Sequence, residues 1–89
     1  MKRLKIGEAL KTKEDVKDLI INLIERTNEF PAIFIKDLTK KYAFGSPLKL
    51  QGKEIDEMVD LVLYDMQMDG SLICNGGMFV RIKVEAKSL

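Results

Sequence analysis

The 89-residue sequence predicts a small α+β fold, and three observations carry that expectation. Two stretches, near residues 13–27 and 51–69, repeat apolar residues at helical spacing. Two β-prone segments at the end of the chain flank a Gly-Gly pair. Between them lie a short β-prone run and a segment suited to a short helix, so the expected order is helix, strand, helix, helix, hairpin. Hydrophobic residues make up 46% and charged residues 33% of the chain, with neither a repeat nor a low-complexity tract, which is the composition of one self-folding domain.

Helix 1 opens at Thr12, with Asp15 three residues on in capping-box position, followed by Val16, Leu19, Ile20, Leu23 and Ile24 on one face. Asn28, Glu29 and the Phe30-Pro31 pair end it, because Pro disfavours helical backbone in the residue before it. Ala32 to Ile35 is a short β-prone run and is expected as a strand. Lys36 to Tyr42 follows as helix 2, with Ile35 and Leu38 inward and Gly45, Ser46 and Pro47 closing it. Helix 3 runs from about Gln51–Lys53 to Asp69, with Gly70 as its stop and Ile55, Val59, Val62, Leu63 and Met66 as its inward arc. Ser71–Asn75 and Met78–Glu85 are then expected as two strands joined by a tight turn at Gly76-Gly77. In the second strand Val80, Ile82 and Val84 are expected inward, with Arg81 and Lys83 outward.

Several function classes are disfavoured at this stage. No uninterrupted run of ten apolar residues exists, whereas a spanning helix needs about 20, and the basic start lacks the apolar region of a signal peptide. With no His and a single Cys, the usual zinc sets, histidine acid/base chemistry and an intrachain disulfide framework are excluded, and a reducing cytoplasm is the expected setting. No cofactor, no metal and no enzymatic activity is expected. Asp56 and Asp60 read as surface charge rather than an acid/base pair, Cys74 as a small core residue, and Met58, Met66 and Met68 as packing.

Charge is segregated. Residues 1–13 carry +4, residues 36–53 carry +4 and residues 70–89 carry +2, whereas residues 54–69 hold six acids and no base. The net charge of +1 argues against a polycation that coats nucleic acid without selectivity. Leu61, Tyr64 and Met68 form a second apolar stripe on helix 3, opposite its core arc. Either the N-terminal segment, through Leu4, Ile6 and Leu10, folds back over that stripe, or a second copy or a partner protein docks there.

FPAIFIKDLTKKY resembles strand 1 and helix 2 of the winged helix-turn-helix superfamily, and VDLVLYDMQMDGSLI resembles the end of its third helix and the first wing strand. The resemblance covers about residues 12–85, leaving residues 1–11 as a basic arm and 86–89 as a tail of one domain. It implies three helices, a short strand and a two-stranded wing, with double-stranded DNA as the partner, and together with the apolar stripe on helix 3 the expectation is a homodimeric transcriptional regulator. Carried over by position, Lys49, Gln51 and Lys53 face the major groove, Lys36, Lys40 and Lys41 face phosphates, Arg81 and Lys83 lie in the wing, and Lys2, Arg3 and Lys5 form an arm. The chain departs from the family where AFGSPLKLQGK replaces a compact turn and where the wing tip carries no base. The acids of helix 3 would also repel phosphates within about 8 Å at physiological salt. The rival expectation is a winged-helix interaction module that binds protein through acidic helix 3 and Leu61, Tyr64 and Met68.

Overall fold

A computed structural model describes residues 10–82. Three helices, α1 (Lys13–Glu25), α2 (Ala32–Ala43) and α3 (Gly52–Met68), combine with strands β1 (Glu29–Pro31), β2 (Leu72–Asn75) and β3 (Met78–Arg81). The strands form one antiparallel sheet in the order β1-β3-β2. The fold class is therefore α+β, as the sequence predicts.

α1 begins where its capping box places it. Thr12 Oγ1 accepts from the Asp15 N–H at 3.1 Å, and Asp15 Oδ2 accepts from the backbone of Thr12 at 3.1 Å and of Lys11 at 2.8 Å. Val16, Leu19, Ile20, Leu23 and Ile24 are all buried, as their spacing predicts. α3 ends in a Schellman arrangement: Gly70, at φ 88°, lets its own N–H reach the Gln67 carbonyl and the Ser71 N–H reach that of Met66. This termination turns the chain directly into β2, whose first residue, Leu72, is buried beside Ile55, Val59, Val62 and Leu63 of α3. Gly76 and Gly77 both have positive φ, 61° and 85°, as a two-residue hairpin turn requires.

The strand expected at Ala32–Ile35 is displaced. The paired residues are Glu29–Pro31, while Ala32–Ile35 is the first turn of α2. The physical reason is burial: Phe30 enters the core from extended backbone, and Ile35 and Thr39, one helical turn apart, are both fully buried. Local β-preference in four residues does not outweigh that tertiary demand. Pro31, extended at φ −81°, occupies the N-cap of α2 without offering a side-chain cap. The sheet consequently has three strands, with β1 placed against β3.

The facing expected for the last strand is inverted. Phe79 lies opposite Phe30 in the β1–β3 register, and their rings stack at 5.8 Å with 18° between planes. Val80 lies opposite Glu29 and Ile73 on the outer face, and Ile82 is exposed. Arg81 shares the inner face with its partner Leu72 and folds its guanidinium onto the end of α1, donating to the Glu25 carbonyl at 2.7 Å. That cation serves a helix whose last turn holds no base of its own. Val84 lies outside the described residues, as do Leu4 and Ile6.

Cys74 is likewise exposed rather than a core residue. Burial along β2, an edge strand of the sheet, stops at Leu72, and Ile73 to Asn75 are exposed. Leu10 is buried, and its carbonyl accepts from the Leu48 N–H at 3.2 Å, tying the start of the domain to the α2–α3 connection rather than to the outer face of α3.

Candidate interaction surfaces

Two sets of residues compete for the role of functional surface, and the packing of α2 against α3 treats them differently. Lys36 and Lys40 are one turn apart on α2, as Asp56 and Asp60 are on α3, and the helices run in opposite senses along this seam. Lys36 Nζ lies 3.0 Å from Asp60 Oδ1, and Lys40 Nζ lies 2.9 Å from Asp56 Oδ1. Asp56 Oδ1 is shielded from solvent and makes no directional hydrogen bond, so the Lys40 ammonium answers its charge as an ion pair. Two of the three helix-2 lysines expected at phosphates thus neutralise acids within the domain. The third, Lys41, is exposed.

Lys49 and Lys53 are exposed on the α2–α3 connection and the first turn of α3. Gln51, between them, is the N-cap of α3, where its backbone N–H donates to Glu54 Oε1 at 3.2 Å. Arg81 is half-buried and committed to the end of α1. Lys2, Arg3, Lys5 and Lys83 lie outside the described residues.

Among the described residues nothing covers the stripe on α3. Leu61 is 58%, Tyr64 58% and Met68 70% exposed, on the side opposite buried Val59, Val62 and Leu63. Leu61 also lines two adjoining depressions between α1 and α3, of about 240 and 180 Å³. Lys13 and Met58 border both, with Glu54 and Glu57 on the first and Lys17 and Val62 on the second. The stripe is therefore continuous with a shallow groove walled by the starts of two helices.

Two carboxylates near this surface are held below the ordinary carboxylate range. Asp69 is lowered by hydrogen bonds from the Ser71 hydroxyl and then the Ser71 N–H, the latter at 2.8 Å. Asp15 is lowered first by the Lys11 N–H, with Thr12 adding to it. Both are structural anions that fix helix ends.

Sequence reasoning missed the α1–α3 groove and the outer sheet face around Ile73 and Val80. The groove depends on how two helices cross, which periodicity does not encode. The Lys–Asp ladder had a signal, because matched four-residue spacings of opposite charge stand on both helices. No helix among the described residues is long and apolar enough to cross a membrane. No protein-family model matches the chain, and no curated protein or solved structure matches it either.

Proposed function

We propose that this chain is a winged-helix-like module that docks another polypeptide on the outer face of α3. The layout of three helices and a three-stranded antiparallel sheet is compatible with a winged-helix arrangement. The observation that carries the reading is the exposure of Leu61, Tyr64 and Met68 on a helix whose residues 54–69 contain no base. A large apolar stripe in water is costly for a free domain and is the common signature of a binding surface. A major groove, by contrast, presents phosphates to whatever enters it, and an acidic helix body opposes that approach.

DNA binding by a homodimeric regulator is the second reading. The exposed bases Lys49 and Lys53 favour it, since they flank the N-cap of α3, the end at which such a helix meets base pairs, and Lys41 on α2 is exposed as well. In that case the contact is confined to the lead-in of α3 and its acidic body is turned away.

One pair of experiments separates the readings. A photo-crosslinking residue at Leu61, and as control at exposed Asp37, is introduced in cells. Docking on α3 gives a polypeptide adduct from position 61 that is absent from position 37 and is lost when Tyr64→Glu is added. In parallel, anisotropy of a mixed-sequence duplex of about 30 base pairs is followed at low and physiological salt. Tight, steeply salt-dependent duplex binding with no adduct from position 61 overturns the docking reading in favour of DNA.

A further inference from the structure

We infer that the partner of the α3 face is a cationic amphipathic helix, with apolar side chains one turn apart and Lys or Arg beside them, and not a second copy of this chain. The inference rests on the docking reading above and concerns what docks there.

The acids of α3 divide by what already answers them. Asp56 and Asp60 are neutralised by Lys40 and Lys36. Glu54 caps the start of the helix through the Gln51 N–H, and Asp69 is bonded to Ser71 at its end. Glu57 and Asp65 have no ion-pair partner among the described residues, and these two lie on the exposed stripe. Glu57, Leu61, Tyr64 and Met68 follow one another at spacings of four, three and four residues, and Asp65 is one turn beyond Leu61. The surface is thus an apolar line with an unanswered carboxylate at one end and another along its side.

Asp65 carries a second electrostatic cost. It stands in the last turn of α3, where the unsatisfied carbonyls give the helix end a negative partial charge, and that turn contains no base. A carboxylate at this end is unfavourable for the isolated domain, and a cation delivered by a partner relieves both the side chain and the helix end together. Self-association through this face is disfavoured for the same reason. Two copies of α3 laid against each other would bring the unpaired Glu57 and Asp65 of each copy together, with no base between 54 and 69 to answer them. Like charges brought together beside an apolar contact disfavour such a pairing.

Shape points to a helix as the occupant. The alternating four- and three-residue spacing is that of a helical seam, and the adjoining groove beside α1, lined by Met58 and Leu61 with Lys13 and Lys17 at its α1 side, has room for one more apolar side chain.

The test uses two synthetic amphipathic peptides of about 14 residues, sharing one leucine stripe and differing only in having Lys or Glu at every other position. Each is titrated into the full chain at physiological salt while backbone amide chemical shifts are followed. Two double variants, Leu61→Ser/Met68→Ser and Glu57→Lys/Asp65→Lys, are compared after their amide spectra show them folded. The expected result is that the Lys peptide shifts residues 57–69 and the Glu peptide binds at least about tenfold more weakly. The serine variant loses about tenfold or more toward the Lys peptide, and the charge-reversed variant exchanges the two preferences. Equal binding of both peptides to residues 57–69 of the native chain leaves the docking reading standing and overturns the cationic partner. Lys-peptide binding unaffected by the serine substitutions, or dimerisation of the chain through α3 in sedimentation, also overturns it. Shifts absent from α3 with both peptides overturn it as well, while the position-61 adduct decides the docking reading on its own.

Discussion

The Lys36 ammonium lies 3.0 Å from the Asp60 carboxylate, and one turn further along α2 this geometry repeats between Lys40 and Asp56 at 2.9 Å. The ladder spends on intramolecular pairing two of the lysines that a phosphate-binding face would need. It also explains why the acidic block of α3 and the basic block before it coexist at close range: each is the other's counterion across the helix seam.

The ladder makes a quantitative prediction for nucleic acid. On the DNA reading, Asp56→Asn/Asp60→Asn releases Lys36 and Lys40, so duplex binding strengthens, and the slope of log affinity against log salt steepens by about one to two, near 0.9 per additional phosphate contact. Salt-titrated anisotropy checks it, and an unchanged slope means that neither lysine reaches a phosphate. Stability falls by no more than about 1 kcal/mol per pair, because both bridges remain partly solvated.

The aromatic stack between strands sets the largest packing effect. Phe30 is fully buried and stacked at 5.8 Å on half-buried Phe79. Phe30→Ala is expected to cost about 3–5 kcal/mol in denaturant unfolding. That is a large share of the total of about 5–15 kcal/mol typical of native domains. Phe79→Ala costs less, since solvent already reaches that ring. A smaller effect at Phe30 than at Phe79 contradicts the described core.

Much of this fold is legible in the sequence, and its failures have one cause. α1 and α3 were readable because their apolar periods, the Thr12–Asp15 box and Gly70 all act within a single helix. Ala32–Ile35 and the facing of β3 were not, because both are decided by where Phe30 and Phe79 must meet, 49 positions apart in the chain. Among the candidate site residues, the α3 stripe followed from spacing alone. The engagement of Lys36, Lys40 and Arg81 did not, since each is held by a residue on another element.

Cys74 reports directly on the exposure of the edge strand. A thiol on the exposed stretch of an edge strand reacts with a water-soluble disulfide reagent without prior unfolding. The core placement expected from its hydrophobic neighbours predicts protection that is lifted only by denaturant. Labelling kinetics at increasing urea distinguish the two: a rate flat across the folded baseline supports the exposed position, and a rate rising with global unfolding refutes it.

The acid limb of stability follows from Asp15 and Asp69. Both carboxylates are held below their ordinary value in the folded chain, Asp15 chiefly by the Lys11 N–H and Asp69 chiefly by the Ser71 hydroxyl. In the unfolded chain both return to about 3.9. A carboxylate whose folded pKa is depressed stabilises the fold in full above its unfolded pKa, and the contribution disappears as pH falls through the lowered folded value. Urea midpoints are therefore expected to be level near neutrality and to decline as pH drops below about 5, with the loss continuing under 3.9. Asp15→Asn and Asp69→Asn should each flatten part of this decline and lower the midpoint at pH 7, by a small amount that shrinks in high salt because both groups are open to solvent. Asp18→Asn, on the same helix without such a cap, serves as the control. An acid limb equally steep in the double variant assigns the protons to other carboxylates and removes the caps from the account.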